Sequence, residues 1–67
     1  MSYGERIRAL RVAQGLSQRK LGEACGYSAG SAERIVQLWE HDKQYPPIEK
    51  LRLLAAALNT SLDNVIP

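Results

Sequence analysis

The spacing of apolar residues is the feature of this sequence that most constrains its fold. In the middle of the chain such residues recur at positions i, i+3, i+4 and i+7, namely Ala32, Ile35, Val36 and Trp39. The same spacing returns further along at Leu51, Leu54, Ala55 and Leu58. This period places each set on one face of an α-helix, and no segment alternates apolar and polar residues as a strand would. The chain is therefore predicted to be all-α.

Start and stop signals divide the chain into short helices. Ser2 with Glu5 has the spacing of a capping box, in which each side chain accepts a hydrogen bond from the other residue's amide. Ser17 is a second capping residue, and Gly15 and Asn59 can end helices in the left-handed conformation. The predicted helices cover about residues 3–14, 18–25, 32–41, 47–58 and 62–66. Together they form a compact five-helix bundle.

Size and composition limit the classes of protein to consider. The 67 residues suffice for one small domain, residues 1–67. One Cys and one His allow no intramolecular disulfide and too few ligands for structural zinc. No apolar run reaches the roughly 20 residues of a membrane helix, and the polar N-terminus is not a secretory signal. We expect a cytoplasmic protein without cofactor, metal or membrane contact. No nucleophile–base pair or paired carboxylates are recognisable, so we expect neither an enzyme nor a small-molecule substrate.

A second pattern joins the second and third predicted helices. After Ser17 the chain carries the residues Gln18, Leu21, Gly22, Gly26, Val36, Trp39 and Glu40. This pattern resembles the helix-turn-helix of the phage repressor and Cro-like family of DNA-binding proteins. The segment "PPIEKLRLLAAALNTSLDNVI" is similar to that family's last two helices, so the resemblance covers nearly the whole chain. It implies a fold of the lambda-repressor-like type, with the helix-turn-helix formed by helices two and three.

The turn of this motif departs from the family pattern. Matched at Gly26 and again at Glu40, the chain carries about four residues more than the usual family spacing, which is close to one helical turn. In one arrangement the turn is a longer loop and Ser31 caps the third helix. In the other the helix starts at Ser28 and projects an extra turn toward its target. We expect the lengthened turn, because Gly30 in a helix costs roughly 1 kcal/mol relative to Ala.

The side of the third helix away from its apolar stripe is the expected reader of DNA bases. In the family geometry this helix lies in the major groove. Arg can bind guanine through two hydrogen bonds, Gln can bind adenine in the same way, and Glu can accept from cytosine. The candidates are Glu33, Arg34 and Gln37, with Ser31 and Leu38 beside them. The alternative is that these polar side chains are only solvated, and Glu33 could pair with Arg34 or Lys20.

Contacts with the DNA backbone are expected from other residues. Gln18 occupies the position where the family places a residue that bonds phosphate and can brace the recognition helix, and Arg19 is its neighbour. A second group resembling a phosphate clamp follows the third helix, at Lys43, Gln44 and Tyr45. Such contacts supply affinity and salt dependence but carry no sequence information.

Four further residues have expected roles inside the domain. The resemblance implies that Arg11 pairs with Glu40, which would tie the first helix to the third; the alternative is that both are exposed. Cys25 is expected to be a small buried hydrophobe, with a redox role as the alternative. Trp39 is expected in the core, with a stacking platform for bases as the alternative.

Two hypotheses of different class remain. The first is a sequence-specific regulator of transcription, a Cro-like repressor of phage or bacterial type, that binds double-stranded DNA as a homodimer. Its operator would be pseudo-palindromic with half-sites about 34 Å apart, and the dimer could form mainly on DNA. Val65 and Ile66, expected to be exposed, are the predicted dimer contacts. The second is a protein-interaction module of the same fold, an antitoxin or anti-repressor, because a lengthened turn would weaken insertion into the groove.

Overall fold

Four α-helices and two 3₁₀ turns follow one another in a computed structural model that describes residues 1–67. They are α1 (Tyr3–Ala13), α2 (Gln18–Ala24), α3 (Ala29–Glu40), a 3₁₀ turn (Ile48–Lys50), α4 (Leu51–Ala57) and a second 3₁₀ turn (Leu62–Asn64). No strand is present, so the predicted all-α class is confirmed. None of the helices combines the length and apolar character needed to span a membrane.

The predicted capping residues begin α1 and α2. The Ser2 hydroxyl accepts a hydrogen bond from the Glu5 amide at 3.1 Å, and the Glu5 carboxylate accepts from the Ser2 amide at 2.8 Å. The Ser17 hydroxyl accepts from the Lys20 amide at 3.0 Å. After α2 the chain turns at Gly26, whose φ of +94° lies in a region that a residue with a Cβ rarely adopts. Local signals therefore fix the first two helices and the turn that follows them.

The two apolar stripes meet in one core, which α1 and α2 complete. Its ten buried residues are Ile7, Leu21, Cys25, Val36, Trp39, Leu51, Leu54, Ala55, Leu58 and Val65. A Cβ on Gly22 would lie 2.6 Å from the Ala32 Cβ, so the absence of a side chain at position 22 lets α2 and α3 approach closely. Burial also raises the pKa of the Cys25 thiol to about 11. A small apolar role therefore fits Cys25 better than redox chemistry.

The expectation of a lengthened turn capped by Ser31 is wrong, because the additional residues are helical. Ser28 has an extended backbone, with φ −69° and ψ 157°, and directly precedes the first residue of α3. Its carbonyl accepts hydrogen bonds from the amides of Ser31 at 3.1 Å and Ala32 at 2.9 Å. Starting the helix here gives these two amides hydrogen-bond partners. Each such bond contributes about 0.5–1.5 kcal/mol, which offsets the roughly 1 kcal/mol intrinsic cost of Gly30.

The predicted fifth helix is only the 3₁₀ turn Leu62–Asn64, so the structure has four α-helices rather than five. The amides of Asn64 and Val65 donate to the carbonyls of Ser61 at 3.1 Å and Leu62 at 3.0 Å, the i to i+3 pattern of a 3₁₀ turn. Val65 directly follows this turn, and its side chain is fully buried in the core. The expectation that Val65 is an exposed dimer contact is therefore wrong. Ile66 is 44% exposed and stays a predicted contact.

Candidate nucleic-acid interface

α3 has one face in the core and one face in solvent. Val36 and Trp39 are at most 1% exposed, whereas Glu33, Arg34 and Gln37 are exposed. Because successive residues of an α-helix are separated by about 100°, Arg34 and Gln37 lie on the side opposite the buried stripe. Two further candidates, Ser31 and Leu38, are half-buried at its margins. The helix is about 18 Å long at 1.5 Å per residue, and its outer face carries polar groups that the core does not use.

An ion pair between Arg11 and Glu40 lies behind this face. The Arg11 Nε donates to Glu40 Oε2 at 2.5 Å, and Nη2 donates to Oε1 at 3.1 Å. The remaining guanidinium nitrogen, Nη1, donates to the Leu16 carbonyl at 2.8 Å. The two side chains are only 12% and 2% exposed, so water screens this pair weakly. The pair joins the last residue of α3 to α1 and to the loop before α2.

A chain of hydrogen bonds leads from this ion pair to the exposed face. Gln18 donates from Nε2 to Glu40 Oε1 at 3.0 Å. The Gln18 Oε1 accepts from Gln37 Nε2 at 3.3 Å, and the same nitrogen donates to Glu33 Oε2 at 3.3 Å. Gln18 therefore holds a side chain of α3, while Glu33 bonds to Gln37 and forms no ion pair with Arg34 or Lys20.

The short turn, the close crossing of α2 and α3 and the exposed face of α3 are the parts of a helix-turn-helix. A protein-family model described as "Helix-turn-helix" matches residues 7–65. The chain belongs to the XRE-type helix-turn-helix family. The resemblance to Cro-like DNA-binding proteins is thereby confirmed, and the members of this family are DNA-binding regulators. No curated protein and no solved structure matches the chain.

The phosphate-contact candidates of this XRE-type protein lie near one end of α3. Because Gln18 bonds to both Gln37 and Glu40, the start of α2 lies beside the C-terminal half of α3. Arg19 follows Gln18 with a side chain that is 61% exposed, and its Nε lies 3.5 Å from a Glu23 carboxylate oxygen. The other candidates come directly after α3 and are all exposed: Lys43, Gln44 and Tyr45. Exposed donors therefore lie at the start of α2 and directly after α3.

Asp42 holds the segment after α3 against the start of α1. Its φ of +59° is the left-handed conformation, which Asp adopts more readily than most residues, and the Lys43 amide then donates to the Leu38 carbonyl at 2.9 Å. Its Oδ1 accepts from the Gly4 amide at 2.8 Å. The Ser2 hydroxyl and the Gly4 amide keep the pKa of Asp42 below its usual value. Sequence reasoning missed this residue, because an Asp after a helix end is too common a signal to identify a partner in α1.

Tyr45 is oriented by an aromatic contact with α1. Its ring packs edge-on against Tyr3, with ring centroids 5.3 Å apart and an interplanar angle of 84°. Tyr3 is itself fixed, because its hydroxyl donates to the Val65 carbonyl at 2.7 Å, and burial raises the pKa of Tyr3 to about 12. Tyr45 is still 62% exposed. The contact restrains the ring while leaving much of Tyr45 accessible to a ligand.

Proposed function

We propose that this protein is a sequence-specific regulator of transcription, a Cro-like repressor that inserts α3 into the major groove of a pseudo-palindromic operator. One observation carries the proposal: Arg34 and Gln37 are exposed on the face of α3 opposite the buried Val36 and Trp39. A helix with its side chains is about 10–12 Å across, and the major groove of B-DNA is about 12 Å wide. The anchored helix would therefore present these two side chains to base edges.

Arg34 is the strongest candidate for reading a base directly. It is exposed and makes no ion pair within the chain, so its guanidinium is free to donate. The two parallel N–H groups of arginine match the O6 and N7 acceptors of guanine. Glu33, Ser31 and Leu38 would complete the contact, with Leu38 placed to meet a thymine methyl group. We therefore expect a guanine in each half-site.

Affinity would come mainly from the residues around the C-terminal half of α3. Gln18, Arg19, Lys43, Gln44 and Tyr45 are proposed to bind backbone phosphates. Each positive charge that neutralises a phosphate releases condensed counterions, so binding should weaken steeply as salt rises. These contacts would set the position of α3 in the groove without specifying bases.

A homodimer is proposed because a single recognition helix reads few base pairs. Two copies would place their α3 helices in successive turns of the major groove, about 34 Å apart. Ile66 is 44% exposed and is the proposed dimer contact. The alternative of a protein-interaction module loses its main argument, because the additional residues extend α3 and the turn before it is short.

Selection of bound sequences from a random DNA pool tests the proposal. We expect a consensus of two inverted half-sites whose centres are about one turn of DNA apart. Arg34→Ala should lose the guanine preference in each half-site, whereas Arg52→Ala, which removes the same charge from the exposed surface of α4, should keep it. Binding to random DNA should fall with rising salt. A pool without consensus, or affinity that does not change with salt, would contradict the proposal and favour a protein partner.

A further inference from the structure

We propose that Gln37 reads DNA through its amide oxygen alone, because hydrogen bonds that start at the buried Glu40 engage its amide nitrogen. The base at this position would then present an amino group to the major groove, as adenine and cytosine do, and purine N7 would play no part. The inference rests on the proposed function and adds the chemical group that this side chain recognises. Gln18 and Glu40 act as positioning residues.

The Glu40 carboxylate determines which end of the Gln18 amide donates and which accepts, and in turn the orientation of the Gln37 amide. Its carboxylate, held by two hydrogen bonds from Arg11, can only accept when it is ionised. The end of the Gln18 amide that faces it, 3.0 Å away, must therefore be the NH2 group. The Gln18 oxygen then points to Gln37, and the atom that meets it at 3.3 Å must be a donor. The orientation of both amides follows from one buried carboxylate.

A second carboxylate fixes the Gln37 amide in the same orientation. Glu33 Oε2 lies 3.3 Å from Gln37 Nε2, and an ionised carboxylate cannot donate to an amide oxygen. An amide nitrogen carries two hydrogens, and here Gln18 and Glu33 each accept one. The Gln37 Oε1 has no partner among the side-chain hydrogen bonds of α3. The group left for DNA is an acceptor with two lone pairs.

This orientation changes the expected base contact. A glutamine that binds adenine through two hydrogen bonds accepts from the N6 amino group and donates to N7. Gln37 can make the second bond only by giving up its bond to Gln18 or Glu33. With its nitrogen engaged, it can accept from N6 of adenine or from N4 of cytosine. The two-bond contact with adenine expected from the sequence is therefore replaced by recognition of a single amino group.

Modified operators test the inference. The base pair that Gln37 reads is identified by comparing the consensus sequences selected by the wild-type protein and by Gln37→Ala. It is the position at which the wild-type protein prefers one base and the variant does not. In that pair, a 7-deaza purine should change the Kd of the wild-type protein less than twofold. Removing the amino group, with purine in place of adenine or 2-pyrimidinone in place of cytosine, should weaken binding roughly two- to tenfold, the typical effect of one hydrogen bond.

Gln18→Ala supplies a readout that a purely structural role would not change. Without the Gln18 oxygen, one N–H of Gln37 becomes free, so selection should shift toward adenine and the 7-deaza substitution should now weaken binding. Arg19→Ala is the matched control, because Arg19 bonds to Glu23 and makes no hydrogen bond with Gln37. It should lower affinity without changing the ratio of Kd values for 7-deaza and natural DNA.

The outcomes separate the inference from the proposed function. If no consensus is selected, the proposed function and the inference fail together. If a consensus is selected but the 7-deaza purine weakens wild-type binding tenfold, or Gln37→Ala loses no base preference, only the inference fails. A wild-type protein insensitive to 7-deaza substitution and sensitive to loss of the amino group supports it.

Discussion

The Glu40→Ala substitution should remove a large share of the stability of this fold. Glu40 accepts two hydrogen bonds from Arg11 and one from Gln18, and its side chain is only 2% exposed. Without it the Arg11 guanidinium, 12% exposed, keeps only the Leu16 carbonyl as a partner. Removing one partner of a buried pair costs about 3–5 kcal/mol. Domains have a free energy of unfolding of about 0.05–0.15 kcal/mol per residue, which gives roughly 3–10 kcal/mol for a chain of this length. The loss is therefore about a third of that stability or more.

Thermal unfolding followed by circular dichroism measures this loss. For a domain of this size 1 kcal/mol corresponds to about 4–8 °C in Tm, so a loss of 3 kcal/mol should lower Tm by roughly 12–24 °C. Glu33→Ala, which removes an exposed carboxylate from the same helix, should shift Tm by no more than about 4 °C. The double variant Arg11→Met with Glu40→Leu leaves no unpaired charge and should recover much of the loss. If Glu40→Ala costs less than about 1 kcal/mol, the typical value for an exposed pair, the ion pair does not hold the fold together.

Three further predictions concern DNA contacts and pH. Arg34→Ala should cost about 1–3 kcal/mol on the selected operator and relax base preference at one position; a binding titration with an unchanged preference would contradict its role as a reader. Lys43→Ala should weaken binding to all sequences similarly and lower the slope of log K against log salt by about one, whereas a loss confined to the operator would argue against a phosphate contact. The pKa values of Asp42 and Glu5 are lowered in the folded state, for Asp42 by the Ser2 hydroxyl and the Gly4 amide and for Glu5 by hydrogen bonds with Ser2. The unfolded chain therefore binds more protons in acid, and stability present at neutral pH should be lost as pH falls through these lowered values. Asp42→Asn should flatten the fall of Tm at pH values below the ordinary Asp pKa of 3.8, and an unchanged profile would contradict this role.

The parts of the fold that depend on neighbouring residues could be predicted from the sequence. The Ser2–Glu5 capping box, the Ser17 cap and the turn at Gly26 each involve residues within a few positions of one another. The buried stripe of α3 follows from helical period alone, and with it the exposure of Arg34. These features need no knowledge of the tertiary structure.

The wrong predictions concern features that depend on tertiary packing, namely the start of α3 and the burial of Val65. α3 begins at Ala29 and includes Gly30 despite its low helix propensity, and Ala32 packs against Gly22 of α2. Val65 is fully buried in the core, and its carbonyl accepts a hydrogen bond from the Tyr3 hydroxyl, 62 positions away along the chain. Neither effect has a signal in the local sequence.

The hydrogen-bonded parts of the site could be predicted only in part. A resemblance to a known family suggested the pair of Arg11 with Glu40, but the orientation of the Gln18 and Gln37 amides follows from where Glu40 places its carboxylate. The bond between Asp42 and Gly4 spans 38 positions. Contacts of this kind depend on the relative placement of helices, which periodicity and capping do not describe.

Isotope-filtered NMR of the labelled protein with its selected operator tests most directly whether α3 reads the major groove. Cytosine H5 and thymine methyl protons lie in that groove, so we expect their nuclear Overhauser effects to connect to the side chains of Arg34 and Gln37. Effects confined to adenine H2 and deoxyribose protons of the minor groove, or to side chains of other helices, would contradict the account.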